Sequence, residues 1–258
     1  MSTSAGAGPE ARLGAARYDG FDAEALRLRT GAVAVEILES AGSVLDVAHE
    51  RAAAGAPAGL LVLADRQTAG RGRQGRAWHS PAGAGVYLAA LLRPGVRPFS
   101  GATAVRVGLA LVDAVEEAAP GAAPRLKWPN DVMVADRKAG GVLCEARWSG
   151  ASQGWVAVGV GVNVHGPVPA EVRGRAIALA EVAPGVTRAA LLASLLPRIW
   201  PLAERPSALD EGEREAFRRR QWVEPGGGAE EEPVGVDGDG ALLVRSADGV
   251  LDRRLIPV

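Results

Sequence analysis

The stretch GWVAVGVGVNV, residues 154–164, restricts the possible folds of this chain more than any other segment, because small and branched side chains alternate strictly along it. Alternate residues of a β-strand point to opposite faces of a sheet. From residue 156 onwards one face carries only valine, and the other carries Ala157, Gly159, Gly161 and Asn163. Glycine weakens a strand, so the bare face indicates that another group approaches the backbone closely. That group is either a packed helix or a ligand, and Asn163 favours a ligand.

Shorter apolar stretches predict the rest of a sheet and the helices that cover it. Strands are expected at 33–38, 59–64, 85–92, 125–128, 131–135 and 140–147, with helices at 43–54, 103–119 and 188–222. The assignments rest on apolar periodicity and on the turn residues that bound each segment. The chain is therefore predicted to be an α+β protein with a mixed, largely antiparallel sheet and helices packed on one side of it.

Three parts of the chain differ in composition. Residues 1–30 are rich in small side chains and predict a mobile N-terminal tail and lead-in, whereas 31–220 contain the long apolar segments of a main domain. After residue 221 short apolar stretches alternate with three Asp-Gly pairs, which are typical of hairpin turns. We expect 221–258 to form a small C-terminal β domain.

The loop QTAGRGRQGRAW, residues 67–78, alternates glycine with arginine and predicts an anion-binding site. A formal net charge of −1 argues against a general nucleic-acid-binding protein. The stretch 70–75 contains G-x-G-x-x-G, but a strand rather than a helix follows it, which argues against a dinucleotide site. A solvated hairpin remains an alternative to a site for a small anion.

Lysine and asparagine are rare in this chain, and most of them fall in one short segment. The chain has 29 basic residues, of which the two lysines are Lys127 and Lys138, and its two asparagines are Asn130 and Asn163. An arginine does not replace a compact ammonium group, so 127–144 is predicted to be part of a site.

The remaining polar residues argue against several chemistries. The three histidines, His49, His79 and His165, are too scattered for a metal site, and one cysteine, Cys144, permits no disulfide within the chain. No apolar stretch reaches the roughly 18–20 residues of a membrane span, and the first residues do not resemble a signal peptide. We expect a cytoplasmic protein that neutralises phosphate charge without forming a covalent enzyme intermediate.

Four segments in order resemble the landmark motifs of biotin–protein ligases: GRGRQGRAW (70–78), KWPNDVMV (127–134), KAGGVLCE (138–145) and GVGVNV (159–164). The resemblance implies that 31–220 form a catalytic domain that binds biotin and ATP, like that of class II synthetases. A small SH3-like β-barrel would follow at 221–258. It also implies that ATP and Mg²⁺ activate biotin as biotinyl-5′-AMP. The biotinyl group would then pass to a lysine on the biotin carboxyl carrier domain of an acyl-CoA or pyruvate carboxylase.

The resemblance further implies a role for each residue that matches a motif. Biotin would contact Ser43, Gln67, Gly70, Arg71 and Lys138. The adenylate would contact Arg71, Gly72, Arg73, Trp78, Lys127, Asn130 and Asn163. Arg71, Arg73 and Lys138 would be catalytic, because cations must offset the repulsion between the biotin carboxylate and the α-phosphate. No dedicated metal ligand is expected, since Mg²⁺ would arrive with ATP.

The glycine–arginine loop would fold over the adenylate, with Trp78 as an apolar lid that excludes water. Without a ligand we expect residues 70–78 to be mobile, because the loop is charged and unable to bury itself.

Two departures from the family pattern keep other functions open. Val44 and Leu45 follow Ser43 where the family has a polar pair, and the C-terminal part is short and rich in glycine. The alternatives are a lipoate or octanoate ligase or transferase of the same superfamily, and a non-catalytic sensor of biotin or nucleotide. About 30 residues precede the first predicted strand, too few for a winged helix, so we expect no nucleic-acid or membrane partner. The chain is expected to be a monomer or a weak homodimer.

Overall fold

A computed structural model describes residues 17–95, 99–150, 152–166, 168–225 and 231–256. Seven strands form one sheet: β1 (Ala34–Ala41), β2 (Leu60–Gln67), β3 (Gly85–Leu92), β4 (Arg125–Lys127), β5 (Asp131–Val134), β6 (Arg137–Ser149) and β7 (Ser152–Asn163). They lie in the order β1-β2-β3-β7-β6-β5-β4. β1 and β2 are parallel, and every other neighbouring pair in this sheet is antiparallel. The predicted mixed, largely antiparallel sheet is confirmed.

Helices cover both faces of the sheet, so the prediction that they lie on one side is wrong. The helices are α1 (Ala23–Thr30), α2 (Val44–Ala53), α3 (Gly101–Ala118), α4 (Arg188–Ile199) and α5 (Glu211–Arg220). The valine face of β7 belongs to the larger core with residues of α3 and α4, whereas Ala157 belongs to a smaller core with residues of α2. Alternation along one strand does not reveal which helix covers which face, because that depends on how the chain crosses the sheet.

The bare face of β7 is approached both by a helix and by a loop. A Cβ atom at position 159 would lie 2.9 Å from the Leu45 side chain of α2, and one at 161 would lie 2.5 Å from the Trp78 ring. Real Cβ atoms do not approach other atoms this closely, so both positions require glycine in this arrangement. Gly159 therefore serves helix packing, and Gly161 serves the contact with the loop.

The N-terminal segment was expected to be a tail and lead-in, but residues 17–30 are folded onto the core. Tyr18 and Leu26 are fully buried. The side chain of Asp22 caps α1, and Gly31 ends it in the left-handed conformation that glycine favours. Residues 1–16 lie outside the described residues.

Three further boundaries differ from prediction. The helix expected from residue 103 begins at Gly101 with Ser100 as its cap, so Thr103 is buried inside it. The turn expected at 136–139 is made by Ala135 and Asp136, so Lys138 lies within β6. The helical region 188–222 consists of α4, a 3₁₀ segment at Trp200–Glu204, and α5.

The C-terminal part forms a three-stranded antiparallel sheet of β8 (Glu231–Val236), β9 (Leu242–Ser246) and β10 (Leu251–Arg254), which fits the predicted small β domain. The turns contain Gly240 and Gly249 with positive φ, in agreement with the Asp-Gly pattern. This sheet contacts the larger part of the protein, since the Trp128 Nε1 atom donates to the Gly240 carbonyl at 2.9 Å. The boundaries at 31, 220 and 221 as domain limits stay a prediction.

Candidate functional site

A cavity of about 840 Å³ opens over the bare face of β7. The start of α2, the glycine–arginine loop, the turn between β4 and β5 and residues 168–176 all contribute to its wall. Ten of the eleven residues that the sequence singled out line it: Ser43, Gln67, Arg71, Gly72, Arg73, Trp78, Lys127, Asn130, Lys138 and Asn163. The fold therefore brings together nearly all of the predicted site.

Gly70, the eleventh residue, lies beneath the loop and is not among the residues that line the cavity. A Cβ atom there would lie 2.6 Å from the Trp78 carbonyl oxygen and 2.8 Å from Ser80 Oγ. The Trp78 amide donates to the Gly70 carbonyl at 2.8 Å, so this close approach closes the loop into a hairpin. Gly70 shapes the loop, and its predicted contact with biotin stays a prediction.

The glycine–arginine loop, residues 68–78, covers part of its own surface. Thr68 and Ala69 donate their amides to the carbonyls of Ala41 and Gly42, and the Trp78 indole lies over Gly161. The loop is thus held at its base and at Trp78, whereas residues 74–77 are exposed, and its mobility without a ligand stays a prediction. The Trp78 Nε1 atom is buried and has no hydrogen-bond partner.

Arg71 joins the loop to two carboxylates. Its Nε and Nη2 atoms donate to the two oxygens of Glu145, each at 3.0 Å, and Nη1 lies 2.7 Å from Asp46 Oδ1. The guanidinium thus lies at the edge of the cavity with its charge compensated.

Arg73 extends towards the turn between β4 and β5. Its Nη1 atom donates to Asn130 Oδ1 at 3.3 Å, and Asn130 Nδ2 donates to the Val142 carbonyl at 2.6 Å. Burial lowers the pKa of the Arg73 guanidinium from its ordinary value, which indicates a partly desolvated cation. Asn130 therefore connects Arg73 of the loop to β6.

Lys138 lies between an acid and an aromatic ring. Its Nζ atom is 2.6 Å from Asp131 Oδ1 and 5.3 Å from the centre of the Trp78 ring. The backbone of Lys138 also pairs with the segment that forms the opposite wall, since its amide donates to the Arg175 carbonyl at 2.7 Å. An ammonium group placed in this way can reach an anion in the cavity while Asp131 limits its movement.

Lys127 lies on the other side of the same turn. Its Nζ atom is 4.5 Å from the centre of the Trp222 ring, within the range of a cation–π contact. The Trp222 Nε1 atom donates to Asp136 Oδ1 at 2.9 Å. The chain between α5 and β8 therefore contributes to the cavity wall, a feature that the sequence motifs did not reveal.

The end of the cavity near α2 combines one amide with apolar groups. Gln67 accepts from the Val44 amide and donates to Ser80 Oγ, both at 2.9 Å, which leaves one N–H and one lone pair of its side chain for a ligand. The Ser43 hydroxyl makes no capping hydrogen bond to α2. Val44 and Leu45 are buried in the smaller core.

Asn163 lies at the end of the bare face of β7. Its Nδ2 atom donates to the Ile177 carbonyl at 3.3 Å. This hydrogen bond fixes the plane of the side-chain amide, and the Oδ1 atom can accept a hydrogen bond from a ligand. The side chain lines the cavity, as the alternation in β7 predicts.

Sequence reasoning missed the carboxylates that accompany these cations, Asp46, Asp131 and Glu145. The hydrogen bond from His49, with Arg71 adding to it, lowers the pKa of Glu145 to about 2. Each carboxylate and its cation are brought together by the fold, since Arg71 and Glu145 are far apart in sequence. The sequence offered one signal for these carboxylates, because Glu145 is the charged residue that ends the segment KAGGVLCE.

The single cysteine is not a thiolate. Cys144 packs against the hydrophobic core, and burial raises the pKa of its thiol to about 12. Such a thiol stays protonated near neutral pH and is a poor nucleophile.

Within the described residues no group of three or more His, Cys, Asp or Glu side chains is arranged to hold a metal ion. Among the helices that the structure describes, none combines the length and apolarity needed to cross a membrane.

Comparison with known proteins gives consistent results. Residues 44–163 match the biotin/lipoate A/B protein ligase family. The bifunctional ligase/repressor BirA of Bacillus subtilis is 38% identical over 146 residues, which cover 55% of this chain and 44% of that protein. The biotin–(acetyl-CoA-carboxylase) ligase of Mycobacterium tuberculosis is 38% identical over 135 residues, covering 50% of this chain and 49% of that protein. The matching part thus spans less than half the length of either relative.

The fold is similar over a larger part of the chain. The structure of a biotin protein ligase from Aquifex aeolicus in complex with biotin and ATP superposes with a TM-score of 0.71 at 27% identity. The superposition covers 86% of this chain and 95% of that one. The likeness therefore includes regions on both sides of the segment matched by sequence.

Proposed function

We propose that this chain, a homologue of the biotin protein ligases, activates biotin with ATP and attaches it to a lysine of another protein. The observation that carries the proposal is the cavity in which Arg73, Asn130, Lys138 and Asn163 meet over the bare face of β7. These residues come from the four motifs that resemble the family. Similarity to a relative solved with biotin and ATP supports the same pair of substrates.

Biotin would lie with its ring system at the α2 end of the cavity. Gln67 retains hydrogen-bonding capacity there, and the Ser43 hydroxyl is free of the helix cap. The apolar surface of Val44 and Leu45 suits the hydrocarbon part of such a ligand. The carboxylate of biotin would then extend towards Lys138.

The first step would join two anions. A carboxylate oxygen of biotin attacks the α-phosphorus of ATP, the bond from that phosphorus to the bridging oxygen breaks, and pyrophosphate leaves. Bringing a carboxylate within about 4 Å of a phosphate costs roughly 4 kcal/mol at an intermediate dielectric, unless cations offset the repulsion. Lys138 and Arg73 are the cations best placed to do so, and Asn130 fixes Arg73.

The second step would transfer the biotinyl group. The amine of the acceptor lysine attacks the acyl carbon of biotinyl-5′-AMP, AMP leaves, and the nitrogen loses a proton. Water would compete with the amine for the same carbon. The glycine–arginine loop and the Trp78 ring cover one side of the cavity, which supports a role in excluding water.

Mg²⁺ would enter with ATP. It prefers one or two carboxylates together with phosphate oxygens and water, and Asp131 is the carboxylate next to Lys138 in the cavity. The ion would reduce the charge on the phosphates of ATP. The acceptor would be the biotin carboxyl carrier domain of a carboxylase, which is the partner the resemblance implies.

The apolar pair Val44 and Leu45 favours lipoate as the second candidate substrate, because lipoate has no ureido group that needs polar partners. Pyrophosphate release, measured with MgATP and either biotin or lipoate, separates the candidates. We expect release with biotin alone. Release with lipoate and not with biotin contradicts the proposal, and release with neither indicates a sensor without catalytic activity.

A further inference from the structure

The guanidinium of Arg71 connects three elements of the fold. Arg71 belongs to the glycine–arginine loop, Glu145 to β6, and Asp46 to the first turn of α2. The contact with Glu145 is bidentate, with both N–O distances at 3.0 Å, and the contact with Asp46 is 2.7 Å. Bidentate pairs between guanidinium and carboxylate groups are among the stronger and more directional contacts in proteins.

Glu145 is also held by His49, which shares the Oε2 atom with Arg71. His49 Nε2 lies 2.9 Å from Glu145 Oε2, and the Trp155 Nε1 atom lies 2.9 Å from His49 Nδ1. An indole N–H only donates, so His49 Nδ1 accepts and the proton of the ring is on Nε2, directed at Glu145. The carboxylate is thereby fixed in the plane that suits the guanidinium.

The side chains of this network are largely shielded from solvent. Side-chain exposure is 11% for His49, 19% for Glu145 and 27% for Arg71. Solvent screens such a pair less than it screens a surface ion pair. A carboxylate oriented by His49 and Trp155 is more than is needed to neutralise a surface arginine, which would be solvated without help.

We propose that Glu145 is a positioning residue that holds the glycine–arginine loop closed over the cavity through Arg71, with His49 and Trp155 orienting its carboxylate. Asp46 forms a second, more exposed ion pair with the same guanidinium. Losing the carboxylate of Glu145 frees the loop while the sheet beneath it remains intact. This inference concerns loop closure, and only its consequence for the adenylate rests on the proposed function.

Limited proteolysis of the full chain without ligand tests the loop directly. Trypsin cleaves after arginine, and Arg71, Arg73 and Arg76 lie in the loop. Cleavage of a locally opened segment follows the population of the open form when opening is fast. We expect Glu145→Gln to raise the rate of loop cleavage about ten-fold, which corresponds to the loss of a charged hydrogen-bonded pair.

Glu36→Gln is the matched control. Glu36 makes a bidentate pair with Arg51 at 2.7 and 2.8 Å, and Arg51 lies on α2, away from the loop. Cleavage after Arg106, which is buried within α3, provides an internal reference for global stability. The control and the reference rate are expected to match the wild type, and unchanged loop cleavage in Glu145→Gln overturns the proposal.

A second variant covers the case in which Glu145→Gln folds poorly. Arg71→Gln breaks the same pair from the loop side and leaves the sites at Arg73 and Arg76. It is expected to show the same selective cleavage. A uniform rise at loop and reference sites in both variants overturns the proposal.

The consequence for the adenylate has a separate readout. With biotin and MgATP but no acceptor, Glu145→Gln is expected to release AMP several-fold faster than the wild type, because water reaches the mixed anhydride. Selective loop cleavage without faster AMP release leaves Glu145 as the loop-holding residue and overturns its protective role. If the wild type releases no pyrophosphate, the proposed function is contradicted. The proposal that Glu145 holds the loop closed is then still decided by the cleavage experiment.

Discussion

The indole ring of Trp78 lies so close to Gly161 that a single methyl group at position 161 would come within 2.5 Å of it. Two of the four motifs, 127–134 and 138–145, lie between the loop that carries Trp78 and the strand that carries Gly161. Their contact explains why β7 has a glycine, without a side chain, at this position. It also places an aromatic wall beside Lys138.

Gly161→Ala is expected to displace the Trp78 ring. Overpacking of this kind costs about 1–3 kcal/mol, which urea unfolding measures. Gly174→Ala is the control, since a methyl there meets no atom within 4 Å. Equal stability of Gly161→Ala and the wild type would show that the ring does not rest on this strand.

Lys138→Ala is expected to lower biotin-dependent pyrophosphate release by about 100-fold or more without unfolding the protein, because Lys138 would offset the charge of the anions that react in the proposed first step. Arg137→Ala, which removes a neighbouring cation paired with Glu181, is the control and should retain activity. Normal turnover of Lys138→Ala would remove Lys138 from the mechanism.

The double variant Lys138→Ala/Asp131→Asn separates two roles of the lysine. If Lys138 only neutralises Asp131, removing both charges restores activity. We expect no restoration, with activity well below that of the single variant Asp131→Asn, because the ammonium group is needed at the substrate anions in the proposed first step. Recovery to near the wild-type rate, measured in the same pyrophosphate assay, would assign Lys138 a purely compensating role.

Glu145 is expected to make stability depend on pH in the acid range. The pKa of this carboxyl is about 2 in the folded protein and 4.5 as its ordinary value. Its contribution is therefore fully present above about pH 4.5 and is lost as the pH falls towards 2, because the unfolded chain binds the proton first. Urea unfolding at about pH 6 and about pH 3 should show a larger loss for the wild type than for Glu145→Gln. Equal losses would mean that Glu145 is not held as an anion.

Trp222→Ala is expected to raise the KM for ATP about five-fold with little change in kcat, because it removes the ring against which Lys127 rests. Trp148→Ala is the control, since that ring is 60% exposed on the β6–β7 hairpin. An unchanged KM would place Lys127 outside nucleotide binding.

Local patterns in the sequence predicted much of the fold and the site. Alternation defined β7 and its two faces, and ten of eleven predicted site residues line one cavity. Gly70 was the exception, because a glycine that contacts a ligand and a glycine that lets a loop close look alike in sequence.

Contacts between distant segments could not be predicted in the same way. The position of α2 on the face opposite α3 depends on the path of the chain across the sheet. The pairing of Arg71 with Glu145 and of Lys127 with Trp222 depends on that path as well. Residues 17–30 lack a strong amphipathic pattern, and their order comes from Tyr18 and Leu26, which are buried by other elements.

The most direct test of the proposed function is the mass of a biotin carboxyl carrier domain incubated with this protein, biotin and MgATP. We expect the carrier to gain one biotinyl group, and to gain none when ATP is omitted or its acceptor lysine is replaced by arginine. A carrier that stays unmodified under all conditions, or that gains a lipoyl group from lipoate and nothing from biotin, would contradict the assignment.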